Sequence, residues 1–206
     1  MGSEPIDVRE RTPYAVSQFR VKDEYESDLG QILIPEGEIE NRVAALADDI
    51  SSDYRDRGGG EMYAVCVLKG AMRFFGALTP QLDLDGSFSE GVVRAARYSG
   101  GEGATETTVD FLEPEMLDGK DILVVEDIID EGHTLEAILG RLEEFNTNSV
   151  QVAVLFDKAD RRKTSVDIEY TGFLIPDEFV VGFGLDYDER YRNLRHLGGL
   201  AESTID

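Results

Sequence analysis

One segment sets the architecture of this chain: Ile122-Leu123-Val124-Val125-Glu126-Asp127-Ile128-Ile129-Asp130-Glu131-Gly132-His133-Thr134-Leu135. Its four aliphatic residues, 122–125, are bounded by polar ones, which is typical of a buried parallel strand. An amphipathic helix is predicted to begin after the short loop that follows. Because a strand that leads into a helix in this way leaves free backbone N–H groups at its carboxyl end, the segment predicts an anion site.

The loop after this predicted strand carries three acids, Glu126, Asp127 and Asp130. Gly132 allows backbone dihedral angles that are closed to other residues, and Thr134 adds a hydroxyl donor at the helix start. A backbone phosphate cradle with an acidic rim suits a sugar phosphate carried with Mg²⁺, because carboxylates bind metal or hydroxyl groups and not phosphate. The alternative is an ordinary acidic turn, although loops at this position often hold ligands.

The composition indicates one α/β domain, with 206 residues and 41% hydrophobic content. No apolar run reaches membrane-spanning length and no signal pattern begins the chain, so a soluble, cytoplasmic protein with no membrane partner is expected. A net charge of −23 argues against nucleic acid as a partner, because such binding is driven by Lys and Arg. Two separated histidines and Cys66, which lies in an apolar run, do not make a zinc site.

The rest of the chain supports a parallel sheet. Strands are predicted at Met62–Leu68, Gly91–Tyr98 and Ser149–Phe156. Two amphipathic helices are predicted from apolar residues at helical spacing, one with Ile39, Val43, Leu46, Ala47, Ile50 and Tyr54, the other with Leu135, Ile138, Leu139, Leu142 and Phe145. A strand, a helix and a strand in succession give a right-handed crossover, with ligands expected beyond the carboxyl ends of the strands.

Four separated segments together resemble a known family. The pattern Glu-Asp, two aliphatics, Asp, any residue, Gly, any residue, Thr at 126–134 resembles the phosphoribosyl diphosphate motif of type I phosphoribosyltransferases, in the form of the hypoxanthine-guanine branch. Leu68-Lys69-Gly70 resembles the family's pyrophosphate loop, in which the first peptide bond is cis. Lys158, 21 positions before Phe179, and the run 175–187 with Arg192 after it resemble the family's purine pocket.

This resemblance covers about residues 30–200 and implies an α/β fold, the type I phosphoribosyltransferase fold. A central, mainly parallel twisted sheet flanked by helices would carry a small hood subdomain built from the N-terminal and C-terminal segments. It implies a single domain over 1–206, with a core at about 36–175, a hood from about 1–35 and 176–206, and a mobile lid at about 97–110. Family members are commonly homo-oligomers, so a homodimer or homotetramer is expected.

The resemblance also implies an activity, namely Mg²⁺-dependent purine salvage. Hypoxanthine or guanine would react with phosphoribosyl diphosphate to give the nucleoside monophosphate and pyrophosphate. Glu126 and Asp127 would hold the ribose hydroxyls and metal-bound water, and Asp186 a second Mg²⁺. Leu68, Lys69, Gly70 and Arg192 would contact pyrophosphate, with Arg162 as a further candidate.

The remaining roles concern the phosphate, the proton and the base. The 5′-phosphate would be held by the backbone of Asp130, Glu131, Gly132, His133 and Thr134, and Asp130 would be the general base for the purine N7 proton. Glu131 and His133 depart from the commoner residues of this loop, and the Glu131 side chain is expected to point away from phosphate. Phe179 would stack on the purine, with Val180 and Asp186 at its 2-position. Tyr98 would belong to the lid, where Arg97 replaces the family's serine.

One specificity argument comes from chemistry alone. A lysine is donor-only, so Lys158 should favour a 6-oxo acceptor over the 6-amino donor of adenine. A xanthine-preferring enzyme stays open as an alternative. So does a regulator with this fold that binds nucleic acid, although it would need a basic face. A catalytically silent subunit is disfavoured, because every acid that the chemistry needs is present.

Overall fold

The computed structural model describes the backbone of residues 3–99 and 105–205, and the side chains of residues 3–96 and 107–205. The described strands, in chain order, are β1 Ile6–Asp7, β2 Leu29–Ile34, β3 Glu61–Leu68, β4 Ser87–Ser99, β5 Thr105–Phe111, β6 Asp121–Ile129, β7 Ser149–Asp157, β8 Tyr170–Leu174, β9 Val180–Val181 and β10 Leu197–Leu200. The described helices are α1 Asp23–Glu26, α2 Glu36–Asp56, α3 Met72–Leu78 and α4 His133–Leu142.

The described strands form two sheets. The larger has the order β1-β8-β7-β6-β3-β4-β5, and it is parallel except where β5 runs antiparallel to β4. The smaller has the order β2-β10-β9 and is antiparallel. The α/β class and the mainly parallel central sheet flanked by helices are confirmed.

Strand β6 lies at the centre of the larger sheet and is apolar on both faces. Leu123 and Val125 pack into one hydrophobic core, which also contains the buried face of α2. Ile122 and Val124 alternate with them and pack into a second core, which contains the apolar face of α4. A strand with helices on both faces needs no polar side, and this explains the uninterrupted aliphatic run in the sequence.

Helix α2 follows the predicted pattern. Pro35 precedes its first residue, and Glu36 and Glu38 lie in its first turn, where acidic side chains favour the positive end of the helix dipole. Its apolar stripe is buried as expected. Gly58, with φ of 94°, lies just beyond its end, in a conformation that suits glycine.

The structure corrects one strand boundary and shows how two further segments pair. Strand β6 runs on to Ile129, because Glu126, Ile128 and Ile129 continue the pairing with β7, so Glu126 and Asp127 are strand residues and not loop residues. Residues 105–110, assigned to the lid, lie in β5 and pair with β4. Ile6–Asp7 pairs with β8 of the larger sheet. The rest of the lid, at 100–104, and the side chain of Tyr98 lie outside the described residues.

The smaller sheet is fixed to the rest of the chain by polar contacts near α2 and α3. The backbone N–H of Glu36 donates to Nδ1 of the buried His196 at 2.9 Å. Arg73 donates to the Leu194 carbonyl at 2.9 Å, and its guanidinium lies 4.6 Å from the centre of the Phe183 ring. Within the described part of the chain, no helix is long and apolar enough to span a membrane.

We expect Leu46→Ala to lower the free energy of unfolding by about 2–5 kcal/mol, because Leu46 of α2 is 1% exposed and its removal leaves a cavity. Leu112→Ala is the matched control. Leu112 is 51% exposed, so the change should stay within about 0.5 kcal/mol. Urea unfolding of both variants measures the difference, and equal losses would contradict the assignment of α2 to the core.

Candidate active site

The site lies where β3, β6 and β7 end, at the carboxyl edge of the larger sheet. Because neighbouring parallel strands end at the same edge, segments far apart in the chain meet here. Gly132 precedes α4 with φ of 92°, and a Cβ at this position would lie 2.1 Å from Thr164 Oγ1. Glycine is therefore required at this turn both by dihedral angle and by space.

Two neighbouring carboxyl groups are buried at the end of β6. Glu126 is 8% exposed and Asp127 6% exposed, and Asp127 Oδ1 accepts the Ile128 N–H at 2.9 Å. Burial, followed by the proximity of Asp127, raises the pKa of Glu126 well above its usual value. Burial also raises the pKa of Asp127. Glu126 Oε2 is buried and has no hydrogen-bond partner among the described residues, which leaves it available to a ligand.

Asp130 lies between two cations. Arg161 Nε lies 2.7 Å from Asp130 Oδ1, and Lys158 Nζ lies 3.7 Å from Asp130 Oδ2. Lys158 is 6% exposed although it carries a charge. A buried cation of this kind needs an anionic or acceptor partner, and Asp130 lies too far from Lys158 for a hydrogen bond, so Lys158 can donate to a ligand.

The loop after β3 approaches the carboxyl pair closely. The Leu68–Lys69 peptide bond is cis, as the resemblance implied. A Cβ at Gly70 would lie 1.6 Å from Asp127 Oδ2, and one at Gly184 would lie 2.2 Å from the Gly70 carbonyl oxygen. Two glycines therefore allow three segments of the chain to meet beside Asp127.

A charged network covers the opposite side of the site. Arg192 Nη2 lies 2.8 Å from Asp186 Oδ1 and 3.3 Å from Glu189 Oε1. Lys69 Nζ donates to Glu189 Oε2 at 3.0 Å, and this contact lowers the pKa of Glu189. Glu189 therefore joins the loop after β3 to Arg192.

The aromatic and apolar wall comes from the segment around β9. Phe179 is 47% exposed, and its ring lies edge-on to that of Tyr187, with 5.2 Å between centroids. Val180 is buried in β9. An exposed aromatic face next to a buried strand offers a flat apolar surface to a ligand.

Two adjoining cavities contain the candidate residues. The larger, of 610 Å³, is lined among others by Leu68, Lys69, Gly70, Glu126, Asp127, Asp130, Thr134, Lys158, Phe179, Val180, Asp186 and Arg192. The smaller, of 450 Å³, adds Glu131, Gly132 and His133. Of the candidates named from the sequence, Tyr98 has no described side chain, and Arg162 lines neither cavity because it pairs with the buried Asp157.

The structure adds two residues that sequence reasoning missed. Arg161 lines both cavities, and Glu189 links Lys69 to Arg192. The density of basic residues at 158–163 was a signal for Arg161, but spacing alone does not separate it from Arg162. For Glu189 the sequence contains no signal, because one acid among many in an acidic chain is not distinctive.

A metal ion at this site would need part of its coordination shell from a bound ligand. Within residues 3–99 and 105–205, no group of three or more His, Cys, Asp or Glu side chains is placed to hold a metal ion. Both oxygens of Asp186 are engaged, one by Arg192 and the other by the Glu189 N–H at 2.9 Å. Glu126 and Asp127 offer carboxylate oxygens, which Mg²⁺ prefers.

Comparison with known proteins agrees with this geometry. A model of the phosphoribosyl transferase domain matches residues 35–188, which is more than half of the chain. The chain belongs to the phosphoribosyl transferase domain family. The expected family is thereby confirmed, and the matched range includes each of the segments described above except Glu189 and Arg192.

Individual relatives in this family are similar over most of their length. The hypoxanthine phosphoribosyltransferase of Escherichia coli is 39% identical over 170 residues, covering 82% of this chain and 93% of the relative. The hypoxanthine-guanine phosphoribosyltransferase of Staphylococcus epidermidis is 38% identical over 177 residues, covering 84% of this chain and 94% of the relative. The crystal structure of a hypoxanthine phosphoribosyltransferase from Staphylococcus aureus has a TM-score of 0.80 and 33% identity, covering 91% of this chain and all of that one.

We expect Glu126→Gln to stabilise the metal-free protein at about pH 8 by an amount on the order of 1 kcal/mol. A carboxyl group with a raised pKa in the folded state contributes its full stability below its ordinary value of 4.5, and loses it as pH rises through the folded pKa. Gln has no proton to lose, so its advantage should vanish near about pH 4. Urea unfolding with a chelator at several pH values measures this.

Glu143→Gln is the control for this measurement, because Glu143 is exposed at the end of α4. Its effect on stability should be small at both ends of the pH range. If Glu126→Gln destabilises the protein at about pH 8, the charged form of Glu126 is the favoured one and burial does not dominate.

Proposed function

We propose that this protein is a purine salvage enzyme that transfers the phosphoribosyl group of phosphoribosyl diphosphate to hypoxanthine or guanine and releases pyrophosphate. The observation that carries the proposal is the buried Lys158 close to Asp130, in the same cavity as the Glu126 and Asp127 carboxyl groups. This arrangement pairs a donor for a 6-oxo group with a base and a sugar site. The names of the Escherichia coli and Staphylococcus relatives support the same substrates.

The 5′-phosphate would bind at the start of α4, in the smaller cavity. Backbone N–H groups from Asp130 to Thr134 lie at a helix N-terminus, where the dipole favours an anion. Glu131 pairs with Lys163 and lies near His133, which supports the expectation that its side chain points away from the phosphate. Its contribution to phosphate binding would come from its backbone.

Glu126 and Asp127 would hold the ribose hydroxyl groups and a Mg²⁺ ion. Mg²⁺ commonly binds one or two carboxylates and completes its shell with substrate phosphates and water, which fits a site with two carboxyl groups and a free buried oxygen on Glu126. The ion would neutralise the leaving pyrophosphate. A second ion at Asp186 would require Asp186 to part from Arg192.

Pyrophosphate would be held by the loop after β3 and by Arg192. Leu68 and Gly70 would supply backbone groups, and Lys69 and Arg192 would supply positive charge. In the structure both cations contact Glu189, so the ligand would replace that carboxylate.

The purine would lie in the larger cavity between Phe179 and Lys158. Phe179 would stack on its face, and the backbone near Val180 and Asp186 would contact its 2-position edge. Asp130 would accept the N7 proton as the ribose carbon develops positive charge. Because Lys158 is donor-only, adenine would leave it unpaired.

Several further features of the protein stay predictions alongside this function. They are a single domain with a hood around the smaller sheet, a lid that includes Tyr98, a homodimer or homotetramer, and a cytoplasmic location. Nucleic-acid binding is disfavoured, because the basic residues at 158–163 include three whose charges are engaged, Arg161 by Asp130, Arg162 by Asp157 and Lys163 by Glu131.

A panel of bases tests the proposal. Purified protein with Mg²⁺ and phosphoribosyl diphosphate should release pyrophosphate with hypoxanthine and guanine, while adenine should react about 10⁴-fold more slowly or worse. Xanthine, tested separately, distinguishes a xanthine-preferring enzyme. Comparable turnover of adenine would show that Lys158 does not read the 6-position.

We expect Asp130→Asn to lower kcat by about 10²–10⁴, because Asn is nearly isosteric but does not accept the proton. Binding of the nucleoside monophosphate should survive, since the backbone phosphate contacts remain. Glu131→Gln is the matched control and should cost far less. Steady-state rates and calorimetry decide between the two positions, and a more damaging change at Glu131 would refute the placement of the base.

A further inference from the structure

Arg161 is the residue of the basic segment 158–163 that faces the candidate site without an assigned role. It ends the short turn Ala159–Arg161 after β7 and lines both cavities. Its Nε lies 2.7 Å from Asp130 Oδ1, and its Nη1 donates to Asp177 Oδ1 at 2.9 Å. One guanidinium therefore joins the segment after β6 to the segment that precedes Phe179.

The neighbouring cations do not share this position. Arg162 pairs with the buried Asp157 behind the turn, and Lys163 pairs with Glu131. Lys158 is buried, and its nitrogen lies 3.7 Å from the other oxygen of Asp130. Arg161 is thus the member of the segment that contacts Asp130 and Asp177 together.

The contact with Asp130 balances charge without occupying an oxygen lone pair. Although Arg161 Nε lies 2.7 Å away, its N–H is not aligned with Asp130 Oδ1, and that oxygen has no hydrogen-bond partner among the described residues. Asp130 Oδ1 is buried beside Arg161, whereas Oδ2 lies 3.7 Å from Lys158 Nζ, beyond hydrogen-bond distance, so Oδ2 keeps the capacity to accept a proton from a ligand.

Exposure indicates that these contacts serve orientation more than stability. The side chains of Arg161, Asp130 and Asp177 are 39%, 44% and 56% exposed. Ion pairs this exposed contribute about 0–1 kcal/mol to folding. A planar guanidinium with two partners nevertheless fixes their relative position, and a bound purine would exclude water from the same contacts.

We propose that Arg161 is a positioning residue for phosphoribosyl transfer: it orients the Asp130 carboxylate toward the purine and ties it to the 176–179 segment that carries Phe179. This proposal rests on the proposed function of Asp130 as general base. Arg161 acts through Asp130, so its effect belongs to the rate of the chemical step and not to the binding of phosphoribosyl diphosphate.

The first test separates kcat from KM. Arg161→Gln should lower kcat about tenfold, less than the loss of the base itself, and should change the KM for phosphoribosyl diphosphate by less than about twofold. Arg55→Gln is the matched control, because Arg55 is also 39% exposed and pairs with Asp83 at 2.9 Å away from the cavities. Its kcat should equal that of the wild type. A wild-type kcat for Arg161→Gln would overturn the proposal.

A double-mutant cycle tests whether Arg161 acts through Asp130. In an Asp130→Asn background, Arg161→Gln should cause little further loss, because the group that it positions is already inactive. A second tenfold loss in that background would overturn the proposal and assign Arg161 a direct contact with substrate.

A third measurement does not depend on activity. In the unliganded protein, the Nε–H group of Arg161 should be ordered, with an NMR order parameter above about 0.6, and should become mobile in Asp130→Asn combined with Asp177→Ala. A mobile Nε–H in the wild type would show that Arg161 does not hold Asp130 and the 176–179 segment together, and would overturn the proposal. If the wild-type protein releases no pyrophosphate with any base, the proposed function fails, and this NMR signal still decides whether Arg161 joins the two segments.

Discussion

The Asp127 carboxyl group and the Gly70 backbone share a space too small for one additional methyl group, since a Cβ at Gly70 would lie 1.6 Å from Asp127 Oδ2. This contact depends on β3 and β6 being neighbours that end at the same edge of the sheet. Side chains of β6 pack into both apolar cores, so the position of β6 beside β3 is set by close packing in the core. The candidate active site is therefore a consequence of strand pairing in the core.

The cations expected to bind an anionic ligand are paired with a carboxylate of the protein itself, and the ligand would replace that carboxylate. The chain has a net charge of −23, yet the expected ligands are anions. Lys69 and Arg192, the cations expected to meet an anion, contact Glu189. An incoming anion thus competes with the protein's own carboxylates. Pairing with those carboxylates keeps the cations oriented before the anion arrives. The buried Glu126 and Asp127 differ from these exposed acids because burial disfavours their charge.

Much of the fold was readable from sequence because its signals are local. The aliphatic runs of β3, β6 and β7 and the stripe of α2 each lie within one element, and each was placed correctly to within a few residues. The assignment of Glu126 and Asp127 to a loop was wrong. Their polar side chains indicated the end of the strand, but the backbone of β6 continues to pair with β7 beyond them. The contact between Arg161 and Asp130 depends on how two turns meet, and no periodicity encodes that.

The resemblance to a family brought together residues that no local pattern connects. Lys158, Phe179 and Asp186 come from different segments, and physical reasoning alone offered only the donor character of the lysine. Glu189 shows the limit of both approaches, since neither a motif nor the composition distinguishes it from other acids. Its role emerges from distances to Lys69 and Arg192.

The smaller sheet has an order that bears on synthesis of the chain. Its middle strand, β10, lies between β2 and β9, and it is the last described strand to leave a ribosome. The segment with Phe179 is hydrogen-bonded to β10, through Leu200 N–H to the Phe179 carbonyl at 2.9 Å. Every described strand of the larger sheet precedes β10 in the chain, so the aromatic wall of the larger cavity gains this support only after all of those strands have been synthesised.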